Sequence, residues 1–347
     1  MTGPGVVALF GGAGETSQSG RQLHEWLLER LTSPVRVAIL ETPAGFELNS
    51  ADVAGRIAEF FRVHLQNYHP QVSVVPARRR GAPDGPDNPG ILGPLRRANL
   101  IYMGPGSPTY AVRHLDGTLA WHTLLARHRL GATLSFSSAG TIAVGAYALP
   151  VYEIYKVGED PHWQPGLDLL GPHGLRLVFV PHWNGPEGGA PLDLSRCYMG
   201  RARMDYLVSL LPSDVSVVGI DEHTALLIDL EKSFCSVFGE GGVTLLRAGR
   251  EGLYAAGSAF PVEELCAVRL PAPEAGIPPG VWQEVLNGRT EEDGTPSWEA
   301  ASLFQRREHA RRLNDWSTAD ALRVRLVDLG YKVVDSPTGS QLRRTKV

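Results

Sequence analysis

GATLSFSSAGTIAVGA, residues 131–146, is the stretch on which the reading of this chain turns. A β-prone run, Thr133-Leu134-Ser135-Phe136, meets a helix-prone run across Ser137-Ser138-Ala139-Gly140. A serine on such a strand-to-helix corner is held out of the sheet in a strained turn, with small neighbours that let a substrate approach and a helix N-terminus beneath it. That is the geometry of a nucleophile elbow. The local residues also fit a tight βα turn in which Ser137 or Ser138 merely caps the helix.

Working outward, short β-branched runs at residues 6–10, 35–40, 72–75, 100–103, 133–136, 175–180 and 215–220 alternate with helical spacing at 21–31, 51–65, 119–126 and 201–211. This alternation predicts an α/β fold with a doubly wound, mostly parallel sheet, whose ligands gather beyond the carboxyl ends of the strands. From about Thr224 the closely spaced runs TALLIDL, FCSVFG, GVTLLRAG and GLYAAG predict antiparallel hairpins that extend one side of the sheet. The expected organisation is a main domain over 1–270, a proline-dense linker with a short helix at 281–286 over 271–297, and a small basic α+β appendage over 298–347. In the appendage, a helical segment at 298–314 precedes a capped helix in STADALRVRLVDLG and a hairpin in YKVVDSPTGSQL.

Composition narrows the function classes. Cys197, Cys235 and Cys266 form no CxxC pair and leave an odd count, which argues against a disulfide framework or a cysteine zinc site and fits a reducing cytoplasm. No run approaches the roughly 18 apolar residues that span a bilayer, and the N-terminus has no basic region followed by an apolar core, so no membrane anchor or targeting segment is expected. The net charge of −4 divides unevenly: ten Lys/Arg stand against five Asp/Glu from Ala301 onward. That end reads as a solvated helical face or as a surface for nucleic acid or an acidic partner.

Four turns fall at the expected carboxyl edge. GGAGET (11–16) follows the first run; it does not satisfy GxGxxG, and no acidic residue closes the second run as a dinucleotide site requires. In MGPGSPTY (103–110), glycines let backbone N–H groups face a developing oxyanion, with Gly106 the best donor beside Ala139. VPHWN (180–184) puts His182 at a strand end, where an imidazole can act as general base. GIDEHTAL (219–226) supplies Asp221 and Glu222, which can orient a histidine or grip a substrate. Consecutive Asp, Glu and His do not converge on one centre, so neither a metal nor a cofactor is expected.

Taken together, a GG turn after the first strand, a glycine turn before the elbow, a Ser-Ala-Gly elbow, a strand-end histidine followed by arginines and an Ile-Asp-Glu-x-Thr-Ala segment resemble the peptidase E and cyanophycinase family. The resemblance covers roughly residues 5–260 and implies the class I glutamine amidotransferase-like fold, a flavodoxin-like sandwich. It implies Ser138 as nucleophile and His182 as base. Cyanophycinase-like members point to Glu222 as the third member; peptidase E-like members take an acid between serine and histidine, where Glu153 and Asp160 lie, with Glu153 the alternative. Arginines after the histidine help recognise an acidic group in that family, and Arg196 and Arg201 of RCYMGRAR occupy that stretch; Ser107 and Asp221 complete the substrate-binding set. Two positions depart from the pattern. Phe136 stands where the family elbow has glycine, and GPGSPTY replaces a GGNQ-type turn. Serine at the elbow also speaks against glutamine amidotransfer, which needs a thiolate.

The tail, RREHARRLNDWSTADALRVRLVDLGYKVVDSPTGSQLRR, resembles the C-terminal segment of cysteinyl-tRNA synthetases. Neither the nucleotide motifs nor the zinc cysteines of the synthetase catalytic domain accompany it, so aminoacylation is set aside. The expected function is a cytoplasmic serine peptidase or amide hydrolase that cleaves a peptide or isopeptide bond of a small acidic substrate; a homodimer is compatible with it. The other reading is a non-catalytic small-molecule-binding protein whose C-terminal module docks on tRNA or a protein.

Overall fold

The computed structural model describes residues 3–12, 14–185, 192–290, 298–313, 315–336 and 339–345. Two compact units divide the chain, Met1–Val285 and Leu286–Val347. In the first, the strands are β1 (Val7–Phe10), β2 (Arg36–Leu40), β3 (Gln71–Val75), β4 (Leu100–Met103), β5 (Thr133–Ser137), the two-residue β6 (Tyr147–Ala148) and β7 (Gln164–Pro165), β8 (Leu177–Val180), β9 (Ser216–Ile220), β10 (Thr224–Asp229), β11 (Phe234–Gly239), β12 (Gly242–Arg247), β13 (Arg250–Ala255) and β14 (Ala259–Pro261). Its helices are α1 (Gln18–Leu28), α2 (Ser50–His64), α3 (Gly93–Arg97), α4 (Pro108–Leu115), α5 (Leu119–Arg129), α6 (Ala139–Ala143) and α7 (Gly200–Ser209), and α8 (Pro279–Thr290) crosses the boundary between the units.

The larger sheet has the order β14-β11-β10-β1-β5-β4-β2-β3. Its five strands from β1 to β3 run parallel, and β10, β11 and β14 are antiparallel. Every residue of β1, β4 and β5 is buried, as expected of parallel strands covered on both faces. The fold class read from the sequence is therefore the observed one: mixed α/β with a large, mostly parallel central sheet.

The partition of strands differs from the expectation. β8 and β9 form a second sheet with β12 and β13, in the order β13-β12-β9-β8, and the hairpin strands divide between the two sheets. The sheets touch where their strands end: His182 N–H, beyond β8, donates at 2.7 Å to the O of Gly11, whose own N–H continues the β1–β10 pairing by donating to Thr224 O at 2.9 Å. β8 therefore meets β1 only at this corner and builds no ladder along it. Hydrophobic periodicity marks strands but not their partners, so this division could not be read from the sequence.

Alternation across the larger sheet separates two cores. Leu9, Leu134 and Phe136 face one side; Ala8, Phe10 and Tyr102 face the other, beneath α1 and α2. α1 is capped by Ser17, whose Oγ accepts from Gly20 N–H at 3.2 Å, and it buries Leu23, His24, Leu27 and Leu28. His24 lies among aromatic rings, stacked on Phe10 with ring centroids 5.1 Å apart and edge-on to Phe61 at 4.9 Å.

The second unit contains α9 (Trp298–Arg312), α10 (Trp316–Asp328), β15 (Tyr331–Ser336) and β16 (Gly339–Arg344), closed around Ala300, Leu303, Leu322, Leu326, Tyr331 and Val333. The cap of its helix lies two residues before the serine of STADALRV: it is Asp315, whose carboxylate accepts from Thr318 N–H at 3.1 Å. The tip of the expected hairpin, residues 337–338, lies outside the described residues. Arg307 is almost wholly buried and reaches Asp335 at 3.0 Å, which ties α9 to the hairpin. Arg307 and Ser340 together hold the Asp335 carboxyl down at about 2.

Burial lowers the His24 pKa from 6.5 to about 4, so the core holds the neutral ring. The resulting stability is complete above the unfolded pKa and is lost as pH falls from 6.5 toward 4. Its size is on the order of 3 kcal/mol. Thermal denaturation across that range is expected to show a shallower fall in Tm for His24→Phe than for the unaltered protein. Parallel curves would count against the assignment.

Candidate active site

Ser138 stands between the end of β5 and the start of α6 with φ +50° and ψ −112°, a backbone conformation that a residue with a Cβ seldom adopts. The small residues after it permit the close approach that fixes this corner. A Cβ on Gly140 would come within 2.4 Å of Met103 O, and Gly140 N–H donates to Gly104 O at 3.2 Å. Phe136, the departure noted at the elbow, is fully buried in the core beneath it. Ser137 is also fully buried, so of the two elbow serines it is Ser138 whose hydroxyl reaches the histidine.

Ser138 Oγ lies 3.1 Å from His182 Nε2, and His182 Nδ1 lies 2.8 Å from Glu222 Oε1. Glu222 has no proton to give when ionised, so Nδ1–H donates to it and the Nε2 lone pair faces the Ser138 hydroxyl. Glu222 is itself oriented by Asn184, whose Oδ1 accepts from Glu222 N–H at 2.9 Å. The His182 and Glu222 side chains are 18% and 12% exposed, which leaves the pair sheltered but reachable.

The GG turn builds the other wall. His182, just beyond β8, has φ +52°, and its imidazole occupies the space above Gly12, where a Cβ would stand 2.2 Å from His182 Cε1. Gly12 O accepts from His223 N–H at 3.1 Å, so one dipeptide braces both the histidine and the acid turn. Asp221, next to Glu222, points elsewhere: Gly242 N–H donates to its Oδ2 at 2.8 Å, and burial raises its carboxyl pKa despite that bond.

After the histidine, Arg196, Cys197 and Tyr198 form a left-handed turn, with φ of 55°, 58° and 67°. Cys197 N–H donates to His182 O at 3.0 Å, and Arg196 N–H donates to Trp183 O at 2.9 Å. This places the Tyr198 ring 6.3 Å from the His182 ring and stacks it on Tyr155 at 5.2 Å. The Arg196 guanidinium lies over the Trp183 ring at 4.7 Å. Arg201 is exposed on α7, and its backbone N–H donates to Asp193 Oδ2 at 2.8 Å. The Cys197 thiol is fully buried, which pushes its pKa up to about 12 and leaves it protonated.

Gly106 has φ +143° and packs so closely that a Cβ would meet Pro43 O at 2.1 Å. Among the described residues, neither Gly106 N–H nor Ala139 N–H has a backbone acceptor; Ala139 is the first residue of α6, where the helix offers none. Ser107 caps α4, with its Oγ accepting from Tyr110 N–H at 3.1 Å and its own N–H donating to Pro43 O at 2.8 Å. Glu153 begins the helical turn Glu153–Val157; its Oε2 is buried and unpartnered among the described residues, whereas the His182 Nδ1 position is taken by Glu222. Among the described residues, no group of three or more His, Cys, Asp and Glu side chains could hold a metal ion.

Of the residues singled out in the sequence, the structure brings Ser138, His182 and Glu222 together, and it adds Gly12, Asn184 and Tyr198, which were not singled out. The GG after the first strand was the available signal for Gly12. Asn184 and Tyr198 owe their positions to turns whose shape no local pattern encodes.

Comparison with known proteins adds two similarities. Residues 297–343 match a family model described as the cysteinyl-tRNA ligase anticodon binding domain. Over 48 residues, 14% of the chain, the sequence is 38% identical to the cysteine–tRNA ligase of Methanosarcina mazei and spans 10% of that protein's length. In three dimensions the chain is similar to the crystal structure of a peptidase from an acI-B1 actinobacterium, with a TM-score of 0.59 and 21% identity, covering 74% of this chain and 97% of that one. No helix among the described residues is long and apolar enough to cross a membrane. Both resemblances read from the sequence are therefore met: a fold shared with a solved peptidase and a C-terminal segment similar to the anticodon-binding domain of cysteinyl-tRNA ligases.

Proposed function

We propose that the first unit is a serine hydrolase of peptide or isopeptide bonds. The observation that carries this reading is the relay from Ser138 Oγ through His182 to Glu222, built on a backbone corner in the positive-φ region. Ser138 Oγ attacks the carbonyl carbon while its proton passes to His182 Nε2, and Glu222 stabilises the imidazolium. Gly106 and Ala139 N–H groups receive the oxyanion. Collapse breaks the C–N bond, with the Nε2 proton going to the leaving amine; a water then gives its proton to His182, attacks the acyl carbon and releases Ser138.

Arg196, in the turn that closes on the carbonyls of His182 and Trp183, is the cation assigned to a small acidic substrate, with Tyr198 as an apolar wall. Ser107, Asp221 and Arg201 act through the backbone turns they stabilise. For the C-terminal unit we infer contact with tRNA, on the strength of its basic balance and its family match. A mobility shift of tRNA by the whole protein should weaken steeply with added salt; absence of any shift at low salt would turn the reading toward a protein partner.

Fluorophosphonate labelling tests the hydrolase reading. Labelling is expected at one serine and to vanish in Ser138→Ala; labelling that persists would overturn the reading. Glu222→Gln should slow labelling by about 10²–10⁴-fold. Gly12→Ala should slow it by about 10²-fold through displacement of His182, with the fold intact by circular dichroism. Full-rate labelling of Gly12→Ala would mean that His182 is not the base.

A further inference from the structure

The amino-terminal edge of the larger sheet, at the other end of β5 from Ser138, carries a buried cationic cluster. α5 ends in Arg127-His128-Arg129, all three nearly or fully buried. Arg127 Nε donates to Ala98 O at 2.8 Å. Arg129 differs: it is only 6% exposed, and its Nε and Nη1 are buried without a hydrogen-bond partner among the described residues. His173, 1% exposed, leaves both ring nitrogens unpartnered in the same way. His128 bonds Gly5 O through Nε2 at 2.8 Å and has a bare Nδ1; its ring lies edge-on to His173 with centroids 6.1 Å apart.

Three features make this more than a poorly packed corner. Desolvation lowers the Arg129 pKa with no carboxylate acting against it, and the Arg129 charge in turn bears on His173. Burial foremost holds His128 at about 3 and His173 at about 4, so both rings are neutral at pH 7 and, of these two rings and Arg129, it is Arg129 that carries the charge. The helix terminus does not neutralise it, because the last carbonyls of α5 already accept from the N–H groups of Leu130, Gly131 and Ala132. Two buried guanidinium N–H groups with neither counterion nor acceptor are strongly unfavourable, and a water molecule cannot cancel the charge they carry.

We propose that Arg129, His173 and His128 form an anion site for a phosphate group. Arg129 brings its bare Nε–H and Nη1–H groups, charge-assisted donors, to the oxygens. One His173 N–H adds a third donor, and His128 Nδ1, an acceptor while Nε2–H is given to Gly5 O, suits a P–OH. The rim is fixed by Arg269, whose N–H donates to His173 O at 2.8 Å and whose Nε donates to Pro172 O at 3.1 Å. Free phosphate and the phosphate of a monoester share this chemistry.

Thermal denaturation of the whole protein, dialysed free of phosphate, is the test. Inorganic phosphate at about a hundred times its Kd should raise Tm by about 5 °C over chloride at equal ionic strength. Parallel titration with phenyl phosphate separates the sources: a matching rise assigns a ligand that presents a phosphate group, and a rise with inorganic phosphate alone assigns the free ion. Arg129→Met should abolish the rise. If that variant does not fold, His173→Phe keeps the charge, removes a donor and should weaken phosphate binding about tenfold. No rise with either compound, or equal rises in the unaltered protein and the variants, would overturn the proposal.

Discussion

His182 can reach Ser138 only because residue 12 has no side chain. The imidazole occupies the volume that a Cβ would claim, and the peptide of His182 is tied to Gly11 O directly beside it. Everything else at the carboxyl edge is arranged about that contact. Gly12 O fixes the turn that carries Glu222, Asn184 sets the Glu222 backbone, and the left-handed turn at Arg196–Tyr198 closes on the His182 carbonyl from the far side. Non-glycine residues at positive φ cost roughly 1–2 kcal/mol each. Ser138, His182, Arg196, Cys197 and Tyr198 are five such residues gathered at one place, which is how strain is distributed where a scaffold must aim side chains rather than merely pack them.

Much of this was legible in the sequence, for a definite reason. Ser138, His182 and Glu222 each follow an apolar run, and the ends of parallel strands are where an α/β sheet presents its chemistry. Other assignments were ambiguous because one residue type serves two purposes. Ser107 in a glycine-rich turn fits both a substrate contact and a helix cap, and only its 3.1 Å bond with Tyr110 N–H distinguishes them. Asp221 and Glu222 are neighbours with the same charge, yet the turn between β9 and β10 sends them to different tasks, one to Gly242 and one to His182. The pairing of β8 with β9 in a separate sheet depends on contacts distant in sequence, which no local pattern records.

The C-terminal unit follows a different logic. Its hydrophobic centre, among the described residues, gathers Ala300, Leu303, Leu322, Leu326, Tyr331 and Val333 from two helices and a hairpin, and its order relies in addition on Arg307, Arg311 and Asp335. Asp335 is partly exposed, so this network contributes modestly to stability and more to the register of hairpin against helix. The resemblance to a tRNA ligase segment was readable because such a compact motif concentrates its structural residues in one short stretch, whereas the first unit scatters its decisive residues over more than two hundred positions.

The division into two sheets has a mechanical consequence. Ser138 follows a strand of one sheet, His182 follows a strand of the other, and Glu222 lies in the turn that leads from the second sheet to the first, so the hydrogen-bond chain crosses the seam between them. A slip of about 1 Å along that seam would uncouple the serine while leaving both sheets internally intact. The Ser138–His182 distance is thus a strain gauge for the joint: it reports how well two separately hydrogen-bonded layers stay in register, a property that neither layer possesses alone.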